Sequence, residues 1–257
     1  MTTEAILHRL QSWRERWTRT AWKPITSETD GDATTSKFGG TPWLDAGESW
    51  PICPHCQTAM PLFFQLNLAQ LPAATAGIYG RGLLQLFYCT ACDDAWEPFV
   101  ETSLVRLVQS VGASPPPPPP PQTALPAKQI TGWDAFNDLP NPQDHAQLGL
   151  EYDYDFGTPL RTIVSGPALD AAIEVCDVDD LAEQIGTAAI GDKLAGWPHW
   201  IQGAEYPSCP RCGCQMRHVL QLDSEDHLPF MFGDAGIGHL TQCPAHHEVV
   251  AFGWACS

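Results

Sequence analysis

The chain has 257 residues, a formal net charge of −17 and a pI near 4.6. A body this acidic repels phosphates and gains little from counterion release, so direct binding of DNA or RNA is not expected, whereas a basic protein would be drawn to it. Hydrophobic residues make up 44% and there are ten tryptophans, which excludes a disordered chain.

No apolar run approaches the roughly 18 to 20 residues of a membrane span, and the first residues lack the apolar core of a signal peptide. The expected location is cytoplasmic, with no membrane partner. The charge is uneven. Residues 1–23 carry five of the thirteen Lys and Arg against Glu4 and Glu15, a net +3 that leaves −20 for the rest.

In chain order, residues 4–22 place Ile6, Leu7, Leu10, Trp13, Trp17 and Ala21 at three- and four-residue steps. This spacing predicts an N-terminal amphipathic helix, within a segment 1–24, packed on the chain's own body. Ser27 to Ser36 is polar and reads as a loop. The first half, 36–112, opens on the Gly- and Pro-punctuated KFGGTPWL and reaches Cys53 and Cys56 in the run CPHC. Short apolar runs predict strands at Leu62 to Leu68, Gly82 to Tyr88 and Phe99 to Val108. Between the last two lies CTAC, with Cys89 and Cys92. Two CxxC pairs that face one another supply the four soft ligands of a tetrahedral zinc site.

Pro115 to Pro121 are seven consecutive prolines, a stiff polyproline spacer within a linker 113–128. The second half, 129–257, begins with an acidic middle. Glu151 to Phe156 alternates carboxylates with aromatics, so a strand would present Glu151, Asp153 and Asp155 on one face as a candidate strip for Lys and Arg side chains. Asp177, Asp179 and Asp180 add to it, and Leu169 to Ile190 reads as helix.

The closing stretch, 192–257, repeats the first. Ser36 to Leu66 laid over Asp192 to Leu222, at a constant offset of 156, matches at eleven positions, among them Lys37, Gly40, Cys53, Cys56, Met60 and Gln65 with Lys193, Gly196, Cys209, Cys212, Met216 and Gln221. About two matches are expected from ordinary residue usage. Downstream the offset becomes 154, so Cys89 falls on Cys243 and Cys92 on His246.

A second zinc site is therefore expected from Cys209, Cys212, Cys243 and His246, with Cys214 close enough to replace His246. Paired reduced or redox thiols are the competing reading. Cys176 and Cys256 fall outside both sets as small core residues. The expected fold is α+β, mainly β: two tandem, internally duplicated β-sheet halves in pseudo-twofold relation, each with a zinc-ribbon-like knuckle, plus the N-terminal helix.

The stretches KFGGTPWL, CPHC, FFQLNLAQLP, GWDAFNDLPNPQDHAQLGLEYDYDFG and KLAGWPHWIQGAEYPSCPRCGCQM, with the last part of the chain, resemble the YwqG-like family, a bacterial domain of unknown function. The GGxPxWL turn, the knuckle and the LFFQL strand are more distantly similar to the programmed-cell-death-2 family. The first resemblance implies a β-rich, duplicated fold without assigned activity; the second implies a chaperone for a basic ribosomal protein.

The function expected is a non-enzymatic, zinc-stabilised acidic protein that holds a basic partner, either a toxin such as a nuclease, for which it would be the immunity protein, or a ribosomal-type protein, for which it would be a chaperone. The alternative is a metal- or thiol-dependent enzyme. No GxSxG, P-loop or HExxH occurs, but His218, His227, His239 and His247 lie near Asp223, Glu225 and Asp226 and could furnish an acid and a base or an open metal site.

Overall fold

The computed structural model describes residues 11–92, 96–109, 112, 121–149, 160–164, 171–175 and 186–257. Its strands are β1 (Arg19–Ser27), β2 (Lys37–Phe38), β3 (Leu62–Asn67), β4 (Leu83–Tyr88), β5 (Ser103–Val108), β6 (Lys128–Asp138), β7 (Leu160–Val164), β8 (Ala171–Val175), β9 (Lys193–Ala195), β10 (Arg217–Asp223), β11 (Ile237–Gln242) and β12 (Val250–Ala255). Ten of them form one antiparallel sheet in the order β12-β11-β10-β9-β1-β6-β2-β3-β4-β5, and β7 with β8 makes a separate pair.

At the centre β1 pairs with β6 along its whole length. Two meanders extend outward, β2 to β5 as a first arm and β9 to β12 as a second. Their attachment is crossed: β6, which follows the first arm in the chain, carries it, and β1 carries the second. β1 meets β9 only at Ala21 and Trp22, so Pro24, which has no N–H to donate, sits where that side of the strand is free. The edge strands β5 and β12 lie against each other, so the sheet curls until its ends meet. Trp254 Nε1 donates to the Tyr88 hydroxyl at 2.9 Å across that junction. Inside the curl, Phe38, Phe64, Leu84, Leu220, Leu240 and Phe252 share one core. Such burial of apolar side chains is the main favourable term in folding.

The two arms carry the same register. Lys37 opposes Gln65 as Lys193 opposes Gln221, and Gln65 opposes Gln85 as Gln221 opposes His239. Each ladder breaks at the equivalent place, between Leu62 and Phe64 and between His218 and Leu220. The buried amides of Gln65 and Gln221 make equivalent bonds as well. Each Oε1 accepts from a backbone N–H, of Trp43 or His199, and each Nε2 donates to two carbonyls, of Ala33 and Thr35 or of Ala189 and Gly191.

Two lysines tie the arms to the central strands. Lys193 Nζ bonds Asp138 Oδ2 at 2.9 Å with both side chains fully buried, and Lys37 Nζ bonds Asp30 Oδ1 at 2.6 Å. Asp138 also accepts from the N–H groups of Ala189 and Trp197, so the carboxylate is saturated as a buried charge must be. Gly40 and Gly196 stand beside these carboxylates with φ of 71° and 70°; an added Cβ would lie 2.5 Å from Asp30 Oδ1 and 2.4 Å from Asp138 Oδ2. Only glycine fits that approach.

Three expectations differ from the structure. Residues 11–17 are helical, but the helix expected through residue 22 ends there, and β1 begins at Arg19. Its Trp22, Ile25 and Thr26 are strand formers, and pairing to β6 and β9 outweighs a helical period. Phe99 to Thr102 precede β5 as turns, with Phe99 at a φ of 67°. Within Leu169 to Ile190, expected as helix, residues 171–175 form β8 and 186–190 have no regular structure. The proline tract up to residue 120 lies outside the described residues.

Removing one partner of a buried ion pair leaves the other charge uncompensated. Asp138→Asn is therefore expected to destabilise the fold by about 3–5 kcal/mol in urea unfolding, and the double variant Asp138→Leu, Lys193→Met to recover most of that loss.

Candidate metal centres

In each arm the loop before the second strand and the turn after the third come together, because antiparallel neighbours bring the start of one strand to the end of the next. In the first arm this brings Cys53, Cys56, Cys89 and Cys92 together, with their ligand atoms all within 4.8 Å of one another. In the second arm Cys209, Cys212, Cys243 and His246 meet by the same criterion. Burial matches position for position: two ligands buried, one exposed and one partly covered.

The loops are shaped by short hydrogen bonds. Cys53 N donates to Thr58 O and Gln57 N to Cys53 O, both at 2.9 Å, under a bridge from Ile52 to Ala59. Cys209 N donates to Cys214 O and Gly213 N to Cys209 O, under a bridge from Ser208 to Gln215. The tight turn needs a left-handed residue, met by Gln57 at φ 60° and Gly213 at φ 71°. Cys214 thus takes the place of Thr58, exposed and outside the gathered set, while His246 is inside it. Cys256 is partly buried, and Cys176 lies outside the described residues.

A tetrahedral ion held at about 2.3 Å by sulfur requires neighbouring sulfurs about 3.8 Å apart. Cys53 and Cys92 Sγ are 3.8 Å apart, Cys56 and Cys89 3.5 Å, and Cys212 and Cys243 3.7 Å. His246 Nδ1 is 3.7 Å from Cys243 Sγ and 3.9 Å from Cys209 Sγ. Among the described cysteines none is in a disulfide.

The thiols of the first cluster are pushed in opposite directions. Hydrogen bonds from the Thr58 hydroxyl and amide lower the Cys56 thiol to about 6, while partial burial and the sulfurs of Cys56, Cys89 and Cys53 push Cys92 up. One thiolate makes the next costly, and a dication removes that conflict. The deep pair of each set is also walled by apolar side chains. Cys53 and Cys89 pack with Trp50, Met60 and Phe87, and Cys209 and Cys243 with Met216 and Ala251.

The histidines named as enzyme candidates separate. His218 and His239 are buried with ring centroids 5.6 Å apart, and burial holds both well below the usual imidazole value, His239 at about 3. His247 Nε2 lies 3.3 Å from an Arg217 nitrogen. His227 Nδ1 is 2.8 Å from Asp192 Oδ2 and 3.5 Å from Asp226 Oδ1, and these three form a further group of possible ligands.

Sequence reasoning missed Asp192, the buried member of that group. The first arm builds the same frame from neutral side chains. Asn67 N donates to Ser36 Oγ and Ser36 N to Gln70 Oε1, where the second arm has Asp223 N to Asp192 Oδ1 and Asp192 N to Asp226 Oδ2. The acidic strip Glu151, Asp153 and Asp155 lies outside the described residues. Among the described residues no helix is long and apolar enough to cross a membrane.

The protein is thus a mainly β chain with two clusters of four metal-ligand side chains. It belongs to the DUF1963 family, described as a domain of unknown function, which it matches over residues 36–242. No curated protein matches it.

The Asp192 group predicts a pH dependence of the fold. Burial raises Asp192 to about 6, and the bond to Asp192 raises His227 in spite of its own burial. Both folded-state values exceed the unfolded ones, so the stability this pair contributes is complete at low pH and is lost as pH rises through the folded values. Between about pH 4 and 6 the melting temperature is expected to fall as Asp192 ionises, and to fall further above that as His227 loses its proton; the triple variant Asp192→Ser, Asp226→Gln, His227→Leu, which copies Ser36, Gln70 and Leu71, should flatten that slope in calorimetry.

Proposed function

We propose that each four-ligand cluster holds a structural zinc ion, that the two arms descend from one duplicated module, and that the protein is an acidic binding protein for a basic partner. The observation that carries the metal assignment is the convergence, in both arms, of four donors from two turns far apart in the chain. Zinc suits both donor sets, since it takes four thiolates or three thiolates and an imidazole in tetrahedral geometry. Four protein ligands leave no position for substrate, which favours a structural over a catalytic ion. The equal registers, bulges and hydrogen bonds of the two arms support the duplication.

The partner follows from charge. A net charge of −17 accelerates encounter with a basic protein, whether a toxin or a ribosomal-type protein, and works against nucleic acid. The binding reading is favoured over an enzyme built on His227 because His218, His239 and His247 do not join the Asp192–Asp226–His227 group. Placement in the cytoplasm fits thiols kept reduced for metal.

Native protein is expected to carry about two zinc ions per chain by metal analysis. Cys53→Ser and Cys209→Ser should each lose one ion and lower the melting temperature, because structural zinc contributes folding free energy directly, while Cys214→Ser keeps both. Equal heat stability of the ligand variants would remove the structural role. Affinity capture from the native host at low salt should recover a basic protein whose binding weakens steeply as salt is added. Recovery of no basic protein would count against that partner.

A further inference from the structure

A cavity of about 700 Å³ opens between the arms, where β1 and the start of β10 face the loop around Tyr79. None of the eight cluster ligands lines it. Its size lies within the range of small-molecule sites. Aromatic side chains form its walls, including Trp22, Tyr79, Trp197 and Tyr206.

Its polar groups are mostly donors. Arg19 lies 3.3 Å over the Trp197 ring and Arg217 5.7 Å from the Tyr79 centroid. Among the described residues neither guanidinium has a carboxylate partner within ion-pair distance, and Arg217 Nε is buried without a hydrogen bond. His218 is 7% exposed, lines the cavity and has no hydrogen-bond partner on either nitrogen. A buried donor or acceptor is seldom left unmade unless something else completes it.

The one lining carboxylate, Asp144, is already engaged, accepting from Trp200 Nε1 at 3.1 Å and from Tyr206. The fold does not demand the polar pair. At the same register the first arm has Pro61 and Leu62 in place of Arg217 and His218, and Leu62 is fully buried in apolar surroundings. A chain of net charge −17 has therefore set two guanidiniums and an unpartnered imidazole into one aromatic pocket.

We propose that this cavity binds a small organic anion bearing a flat ring. The acidic oxygens would lie on Arg217 and Arg19, which suit carboxylate and phosphoryl groups, and the ring among the tryptophans and tyrosines, with His218 completing a hydrogen bond. This goes beyond the binding of a basic protein and stands or falls separately from it.

The test is fluorescence titration of the metal-replete full chain with 8-anilinonaphthalene-1-sulfonate, a ring-bearing anion. Saturation at about one site per chain is expected, with displacement by indole-3-acetate or by adenosine 5′-monophosphate, and not by neutral indole or inorganic phosphate. Which of the two displaces decides between carboxylate and phosphoryl; displacement by neither overturns the proposal. Arg217→Gln and His218→Leu should weaken binding about tenfold or more. Arg19→Gln, at an exposed position, should do the same with the melting temperature unchanged, so that a loss of fold in the other two cannot imitate the result. Unsaturable binding, equal displacement by neutral indole, or unchanged affinity in Arg19→Gln would also overturn it.

Discussion

Four soft donors held within 4.8 Å of one another cannot all be ionised side by side. Either most stay protonated, at the cost of burying polar sulfur, or a cation joins them. Both arms impose this choice at the same point of the meander, where the loop before one strand meets the turn after its neighbour. Those loops span long stretches of chain with little secondary structure of their own. A dication across them would stand in for the hydrogen bonds that the loops cannot supply, and metal binding would become part of folding.

The crossed attachment of the arms makes the centre of the sheet a second dependency. Since β1 supports the second arm and β6 the first, neither half of the chain completes a sheet from its own strands in sequence order. The Lys193–Asp138 and Lys37–Asp30 pairs sit at those crossings. The Lys193–Asp138 pair, buried on both sides, fixes one register and penalises every slip that would part the charges, whereas Asp30 is partly exposed. The curl of the sheet, closed by β5 and β12, then buries a single core fed by both arms.

Much of this was legible in the sequence, and the parts that were not have physical reasons. The CxxC spacing named six donors, Cys53, Cys56, Cys89, Cys92, Cys209 and Cys212, and the offset between the two stretches added Cys243 and His246, because matching stretches place equivalent residues in equivalent turns. Strands β3 and β4 stood out as short apolar runs, being buried on both faces. β1 did not, because its Ala21 continues the helical spacing of Trp13 and Trp17, and only pairing with β6 and β9 makes the segment strand. β6 hid for a related reason: it mixes Gly132 and the exposed Asp134 and Asn137 with aromatics. Asp192 went unseen because its partner in the other copy is a serine.

The places where the arms diverge are the most informative. Leu62, Pro61, Ser36 and Gln70 are quiet structural residues, while their counterparts His218, Arg217, Asp192 and Asp226 carry charge or an unused ring nitrogen in the same frame. One arm therefore serves as an internal control for the other, separating what the sheet requires from what the second arm adds. The two four-donor clusters lie among the features that the arms share. The most direct measurement is X-ray absorption at the zinc edge of native protein. The expected first shell averages about 3.5 sulfurs and 0.5 nitrogen at a Zn–S distance near 2.3 Å, as one all-thiolate and one three-thiolate site would give. A shell dominated by oxygen and nitrogen, or protein that holds no zinc at all, would contradict the metal clamp.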